Sequence, residues 1–198
     1  MSPTDRVIEL VAPYCDIVER LELVPPSARV RGIYFQNVET QVAKHGLLDP
    51  YREYFPSDRY SALPFYPVAE ILVRRACSGA LLTSPERVHE GMFLIAKGNA
   101  TAFAESLLGR MMLRKLSPDP MRLLEQAIAG RRQSTTYGHW EIRRHGDRAL
   151  EVVYREEYSW IESAIAGAAH GTFEACGLTA QIETTLIDRF NGSTLFRW

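Results

Sequence analysis

Residues 149–198, ALEVVYREEYSWIESAIAGAAHGTFEACGLTAQIETTLIDRFNGSTLFRW, decide the fold of this chain. Ala149 to Glu156 alternates apolar and polar side chains, as a half-buried β-strand does. Ser159 to Cys176 has the composition and spacing of a helix, and Leu178 to Trp198 has the alternation of a β-hairpin. The stretch therefore predicts a strand, a helix and two closing strands that form one unit.

The predicted helix carries its own start and stop signals. Ser159 and Glu162 have the spacing of a capping box, in which each side chain binds the backbone N–H of the other residue. Gly177 is the expected left-handed terminator. The residues between the packing positions are mostly Gly and Ala, which allow the backbone to approach a sheet or another helix closely. The packing face is expected to hold Ile161, Ile165, Ala168 and Thr172.

The closing hairpin has two possible registers. A two-residue Asn191-Gly192 turn would place Leu186 opposite Arg197. A three-residue loop that ends in a left-handed Gly192 would place Leu186 opposite Phe196 instead. Because register follows the hydrophobic face, the three-residue loop is favoured.

The front half of the chain is mainly helical. Ser2-Pro3 is a helix start signal, whereas Ile17 to Val24 alternates like a strand, so helix and strand both stay open before Pro25. The aromatic stretch from Leu48 to Pro67 predicts an ordered connection, because aromatic side chains pack. The remaining helices are predicted over 30–46 (with Ile33, Val38 and Val42 buried), 68–82, 84–96, 101–116 and 117–130.

After the helices, the hydrophobic pattern changes from the helical period to a period of two residues, which is typical of a strand. Thr136 to Arg143 alternates, and His145-Gly146-Asp147 turns the chain into the strand that begins at Ala149. The sequence therefore predicts an α+β fold, with a helical N-terminal half packed on a four-stranded antiparallel sheet and a C-terminal β-β-α-β-β order. We expect a single domain over 1–198, helical over about 1–131 and sheet-bearing over about 133–198.

Composition excludes several classes of protein. The 198 residues carry 23 basic and 24 acidic side chains, a balance that argues against a dedicated nucleic-acid or membrane-surface binder. No apolar run approaches a membrane span. Asp5, Arg6 and Glu9 interrupt the stretch that a signal peptide needs, and the three cysteines are far apart. These features predict a cytoplasmic protein with reduced thiols.

No catalytic or metal motif is present. His89-Glu90 resembles the start of H-E-x-x-H, but Phe93 stands where the second zinc ligand is required, so His89 is expected to be structural. Phosphate-binding glycine loops and nucleophile elbows are absent. The basic residues near the first hairpin alternate with acidic ones, which predicts a solvated sheet face with cross-strand pairs. They are Arg131, Arg132, Arg143, Arg144, Arg148 and Arg155, with Glu141, Asp147, Glu151, Glu156 and Glu157.

Several segments together resemble a paralogous family of myxobacterial proteins of unknown function. They are Arg29 to Phe35, Tyr66-Pro67, Ala102-Phe103, Leu107 to Arg110 and Leu195 to Trp198. The resemblance extends from about Leu21 to the last residue. Because the family has no established activity, it implies no catalytic residue.

The order of elements also resembles a superfamily that contains haem–nitric-oxide-binding domains, 4-vinyl reductase domains and TRAPP vesicle-tethering subunits. This resemblance implies a compact module that often dimerises and in several branches encloses an apolar ligand. The haem branch has a Tyr-x-Ser-x-Arg signature, which here would be Tyr154 to Tyr158, without the Ser and the Arg. No His precedes it at the proximal-ligand spacing, and His89 lies too far upstream, so no haem or other cofactor is expected.

These observations predict a non-catalytic, signalling-related sensory module that binds a small molecule in an apolar pocket and forms a homodimer. The alternative is a TRAPP-like interaction or scaffold module with a solid core that binds a protein partner. Neither hypothesis includes a nucleic-acid partner or a membrane span. The side chains expected to line the pocket are Phe35, Tyr66, Met92, Phe103, Leu107, Trp140 and Phe173.

Overall fold

The computed structural model describes residues 2–56, 60–105 and 119–198. The chain divides into two compact units, Met1–Ile95 and Ala96–Trp198. The first unit is almost entirely helical, and the second contains the sheet. The division occurs within one continuous helix.

Helices dominate the first unit. Helix α1 begins at a capping box, in which Ser2 Oγ accepts a hydrogen bond from Asp5 N–H and Asp5 accepts one from Ser2 N–H. Strands β1 (Arg29–Arg31) and β2 (Phe65–Pro67) form an antiparallel pair. The helices are α1 (Pro3–Val11), α2 (Ile17–Leu23), α3 (Ile33–Lys44), α4 (Leu48–Tyr54), α5 (Val68–Leu82) and the first part of α6 (Val88–Glu105).

The strand interpretation of the stretch that begins at Ile17 is wrong, because these residues form α2. Ile17, Arg20 and Val24 are buried, which is the spacing of one helix face. Leu23, which an alternating strand would bury with Ile17, is 56% exposed. Over so short a stretch the sequence fits both the helical period and the strand period, and the pattern of buried residues decides between them.

Helix α3 begins later than predicted and buries a different stripe. The expected Val38 and Val42 are buried, but Ile33 is exposed and Phe35 takes its place. The chain passes through β1 before the helix starts at Ile33. Gly32 lies between them, so close to Ser61 that a Cβ atom would overlap its carbonyl oxygen.

Helix α5 has the predicted bounds, whereas α6 is one helix where two were expected. The break expected between residues 96 and 101 is absent, because the Gly98-Asn99 pair continues the helix. Gly79 of α5 and Gly91 of α6 lie so close that a Cβ atom on either would overlap the other helix. Residues 106–118, which belong to the helices predicted over 101–116 and 117–130, lie outside the described part of the chain.

The second unit has the predicted β-β-α-β-β order. Helix α7 (Pro120–Ser134) begins at Asp119, whose carboxylate accepts hydrogen bonds from the N–H groups of Met121 and Arg122. A four-stranded antiparallel sheet follows, with strand order β3-β4-β6-β5. Its strands are β3 (His139–Arg144), β4 (Ala149–Arg155), β5 (Gln181–Leu186) and β6 (Gly192–Arg197). The predicted α+β class is confirmed.

The hairpin register differs from both alternatives. Leu186 lies opposite Gly192, and Ile182 lies opposite Phe196, so the loop is longer than two or three residues. Asp188 explains its length, because its carboxylate accepts hydrogen bonds from the N–H groups of Phe190 and Asn191. Polar bonds within the loop therefore outweigh the extra cross-strand pairs of a tighter turn.

The helix between β4 and β5 starts with a π-helical turn, Ile161–Ile165, and continues as α8, Ala166–Ala175. The predicted capping box does not start it, because Trp160 is the N-cap residue and makes no side-chain capping bond. The wider turn advances the packing face by one residue, so Ala169 and Phe173 pack on the core where Ala168 and Thr172 were expected. Phe173 stacks on Phe196 of the sheet with ring centroids 4.9 Å apart.

We expect Gly171→Ala to lower the free energy of unfolding by about 1–3 kcal/mol, although Ala favours helices. A Cβ atom at Gly171 of α8 would overlap the carbonyl oxygen of Lys97 in α6. Gly130→Ala on α7 is the matched control, because nothing lies within 4 Å of its added Cβ. It should raise stability by about 0.5–1 kcal/mol. Urea titrations measure both, and equal effects would contradict the close contact.

Candidate functional site

The aromatic connection of the first unit packs around a cation. The guanidinium of Arg74 on α5, which is 5% exposed, lies 4.0 Å from the ring centroid of Phe55 and 4.8 Å from that of Tyr60. Phe35 and Tyr51 complete this aromatic box at 5.9 and 6.0 Å. Arg74 Nη1 also donates a hydrogen bond to the Tyr51 hydroxyl. The ring faces therefore stabilise a buried positive charge.

Two predicted pocket residues belong to this region. Phe35 stacks on Tyr60 with centroids 3.9 Å apart, and Tyr66 packs edge-on against both rings. The expectation that the aromatic connection is ordered is correct for its described residues. The rings surround the guanidinium of Arg74, a residue that the sequence did not single out, because burial of an arginine leaves no local signal.

The second unit holds a buried ion pair. Glu157 is fully buried, and its Oε2 atom lies 2.5 Å from Arg131 Nη2 at the end of α7. Trp140 Nε1 of β3 donates to the same oxygen at 3.0 Å. The backbone N–H of Ser159 donates to Oε1 at 2.9 Å. One carboxylate thus joins α7, β3 and the start of the π-helical turn, and we call this arrangement the Glu157 junction.

The backbone at the Glu157 junction is strained. Glu156 has a φ of +52°, which non-glycine residues rarely adopt. Its N–H donates to Asn191 Oδ1, and the N–H of Glu157 donates to the carbonyl of Phe190, so the hairpin loop holds this conformation. Strained residues and π-helical turns are both enriched at functional sites. Their adjacency makes this the candidate site of the second unit.

Arg131 and Glu157 correct one prediction. Both were placed on a solvated sheet face, but both are buried. The rest of that prediction holds for Glu141, which pairs with Arg143 and Arg155 on exposed positions. The Arg131–Glu157 contact joins residues 26 apart, so no local spacing could have identified it.

The predicted pocket residues are divided between the units. Met92 is buried in the first unit, close to Gly79. Trp140 and Phe173 contact one core cluster in the second unit, where Trp140 packs edge-on against Tyr154. Leu107 and the side chain of Phe103 lie outside the described part of the chain. The described contacts bring together Phe35 with Tyr66, and Trp140 with the cluster of Phe173.

The described residues show neither a metal cluster nor a spanning segment. In the described ranges, no three His, Cys, Asp or Glu side chains are grouped so that they could hold a metal ion. Among the described helices, none is long and apolar enough to cross a membrane.

The fold is similar to that of H-NOX proteins. The Fe(II) unliganded H-NOX protein from K. algicida aligns with a TM-score of 0.60 and 13% identity over 84% of this chain and 95% of that chain. A protein solved to study haem redox potential and porphyrin distortion aligns with a TM-score of 0.64 and 12% identity. The alignment covers 85% of this chain and 99% of that chain. The IWP-051-bound H-NOX from Shewanella woodyi aligns with a TM-score of 0.60 and 14% identity over 84% of this chain and 93% of that chain.

At these identities the similarity concerns the fold alone. It confirms the predicted resemblance to the haem-binding branch. The resemblance to 4-vinyl reductase domains and to TRAPP subunits stays a prediction.

The residues of the second unit do not fit a haem. Haem iron usually takes an axial imidazole, and the described core cluster contains none. His139 and His145 are exposed, and His145 lies 3.0 Å from Glu151. Burial, and then the charge of Lys97, lowers the pKa of the partly buried His170.

The position of the haem signature is also occupied differently. Tyr154 is buried and hydrogen-bonds to Thr194. Glu156 and Tyr158 stand in place of the Ser and the Arg, and Glu157 adds a buried carboxylate. The negative side chain of Glu156 would repel the carboxylates of a haem, whereas the charge of Glu157 is compensated by Arg131. No step of a haem mechanism is therefore derived for this chain.

We expect Glu157→Ala to lower the free energy of unfolding by about 3–5 kcal/mol, because it leaves a buried guanidinium without its carboxylate. Arg131→Met combined with Glu157→Leu should recover most of that loss, since the double variant leaves neither charge behind. The exposed Arg197–Glu183 pair provides the control, with an effect below about 1 kcal/mol for Arg197→Ala. If the effects of the Arg131 and Glu157 substitutions on the free energy of unfolding were additive in a double-mutant cycle measured by urea denaturation, the pairing at the Glu157 junction would be contradicted.

Stability should fall as the pH rises above about 10. Burial raises the pKa of Tyr51 and Tyr154 above 10.0, so the unfolded chain ionises first and loses protons that the folded chain retains. Each tyrosine can contribute up to about 1.4 kcal/mol per pH unit. In urea titrations from pH 8 to 11, Tyr154→Phe should make the loss shallower.

No functionally curated protein matches the sequence. A family model described as protein of unknown function (DUF2378) matches residues 24–198, which is most of the chain. The matched range begins just after α2 and includes every later described element, the aromatic box and the Glu157 junction. The chain therefore belongs to the DUF2378 family of proteins of unknown function.

Proposed function

We propose that this chain is a non-catalytic sensory module that binds an apolar small molecule. The observation that supports the proposal is the alignment with H-NOX proteins, which extends over 99% of one relative. The K. algicida protein is described as Fe(II) unliganded, and the Shewanella woodyi protein as bound to IWP-051 in the Fe(II)CO ligation state. The haem signature is incomplete at Tyr154 and the described core cluster of the second unit holds no histidine, so the ligand we propose is organic and contains no haem iron.

The Glu157 junction supports a signalling role for the same module. It joins α7, β3 and the π-helical turn through one carboxylate. A ligand that changes the π-helical turn would therefore also displace the strained Glu156 and the loop that holds it. Such a change at a bistable backbone element is how sensors couple binding to a response. We further propose that the protein acts in the cytoplasm as a homodimer.

Two measurements on purified full-length protein test the proposal. Denaturing extraction followed by mass spectrometry should release a bound apolar molecule, and N-phenyl-1-naphthylamine should bind saturably with one site per chain. Leu63→Ser with Ile187→Ser is the matched control, because these are exposed apolar side chains at 74% and 75%. Interior binding should persist in that variant. No released molecule together with no saturable binding would contradict the proposal.

The exposed apolar side chains favour a second function, an interaction or scaffold module with a solid core. Leu63 and Ile187 each lie on a loop with most of the side chain in water, and a partner that covered either of them would bury apolar surface. This function predicts probe binding that disappears in the Leu63→Ser, Ile187→Ser variant. The same titration therefore separates the two functions.

A further inference from the structure

Strand β5 forms one edge of the sheet and has an open side. In the described part of the chain, β5 pairs with β6 alone. The N–H of Ile187 donates to the carbonyl of Asn191, one step beyond the last pair of that ladder. Because alternate residues of an antiparallel ladder bond to the neighbouring strand, the backbone groups of Ile182, Thr184 and Leu186 point away from β6. They form a row of donors and acceptors with which another strand can pair.

The two edges of the sheet differ in their protection against such pairing. Exposed edges usually carry charges, especially Lys, or Pro or a bulge, which prevent pairing with another chain. The opposite edge, β3, has the charged residues Glu141, Arg143 and Arg144. Strand β5 has the single charged residue Glu183, whose carboxylate accepts a hydrogen bond from Arg197 Nη1 at 2.8 Å. With neither Lys nor Pro in its sequence, β5 lacks the usual protection of an edge strand.

The side chains of β5 match a second copy of the same strand. Ile182 and Leu186 lie on the face that carries the core, two residues before and two residues after Thr184. Leu186 is 45% exposed. An antiparallel copy centred on Thr184 places Ile182 opposite Leu186 at both ends and Thr184 opposite itself. Apolar pairs and Thr–Thr pairs both stabilise a sheet.

Charge selects the same register. A centre on Thr184 places Glu183 opposite Thr185 of the second copy. A centre on Glu183 would bring two carboxylates directly opposite each other, which destabilises a sheet. A centre on Thr185 would place the apolar Ile182 opposite Asp188. The centre on Thr184 therefore suits the backbone groups, the apolar side chains and the charge together.

We propose that β5 pairs antiparallel with β5 of a second copy about a two-fold axis at Thr184, so that two four-stranded sheets become one. The pairing rests on the homodimer of the proposed function and specifies its interface. The backbone groups of Ile182, Thr184 and Leu186 exchange about six hydrogen bonds with the second copy. Ile187, which is 75% exposed, lies opposite Gln181 of the second copy and loses part of its contact with water.

Proline at the last residue of each edge strand tests the interface. Leu186→Pro removes an outward N–H and leaves the bonds to β6 intact. The dissociation constant of the dimer, measured by sedimentation of the full-length protein, should rise by at least about tenfold. Arg144→Pro is the matched control, because Arg144 ends β3 and its N–H also points away from the neighbouring strand. It should leave the dissociation constant unchanged.

Charge at Thr185 tests the register without altering the backbone. Residue 185 of each copy lies opposite Glu183 of the other. Thr185→Glu should raise the dissociation constant about fivefold through two like-charge pairs, and Thr185→Lys should lower it about fivefold through two opposite-charge pairs. Both effects should decrease as salt is added. Effects of the same sign for the two substitutions would contradict the register.

Cross-linking tests the same contact directly. Residues 183 and 185 of the two copies form a non-hydrogen-bonded pair with Cα atoms about 4.5 Å apart, a distance that a disulfide can span. Mild oxidation of a mixture of Glu183→Cys and Thr185→Cys proteins should therefore yield a covalent dimer. Each variant alone is the control, because its two engineered cysteines lie diagonally about 7–8 Å apart. The wild-type protein gives the background from Cys15, Cys77 and Cys176.

The outcomes separate the interface from the function on which it rests. If Leu186→Pro and Thr185→Glu leave the dimer intact and the mixture does not cross-link, another surface forms the homodimer; the inference is then wrong and the proposed function stands. A monomeric wild-type protein overturns both the inference and the homodimer, and leaves the open edge to a strand of another protein. Binding of N-phenyl-1-naphthylamine to the same samples decides on the ligand independently. Weaker dimers in both variants together with the mixed cross-link support the inference.

Discussion

The second unit depends on one buried carboxylate. Glu157 is fully buried, and three donors from three parts of the chain converge on it. Burying a charge costs several kcal/mol unless it is paired and hydrogen-bonded. The junction therefore forms as a whole or not at all. The shared carboxylate ties α7 to β3, while Asn191 and Phe190 of the hairpin loop hold the strained backbone at Glu156.

The π-helical turn follows directly from that junction. The chain leaves β4 through Glu156 in a left-handed conformation and enters the helix with Trp160 as its cap. The wide turn then shifts the packing face so that Phe173, and not Thr172, reaches Phe196. One local irregularity thus determines which side chain makes the core contact.

Arg74 of the first unit and Arg131 of the second are buried in different surroundings. In the first, the guanidinium of Arg74 lies among four aromatic rings, which stabilise it through their negative faces. In the second, Arg131 pairs with Glu157 and also lies 4.5 Å from the Tyr137 centroid. Composition shows a balanced charge but not where it is buried. The interior of this protein is therefore more polar than its apolar patterns indicate.

The sequence by itself determined the elements whose signals are local. The alternation of β3 and β4, the helix of α5, the Ser2 cap and the Gly177 terminator each depend on neighbouring residues, and each is present in the structure. The α+β class follows from their order. The haem signature could also be tested in sequence, because its Ser and Arg are missing near Tyr154.

Tertiary structure decided whatever depended on distant partners. The hairpin loop is closed by Asp188 and its hydrogen bonds, and the helical state of α2 is visible in the shared burial of Ile17, Arg20 and Val24. The Arg131–Glu157 pair became visible only in three dimensions. Hydrophobic periodicity identifies which face is buried, but it contains no information about which polar groups meet inside. The candidate site consists of such polar groups, and this is why folding alone defined it.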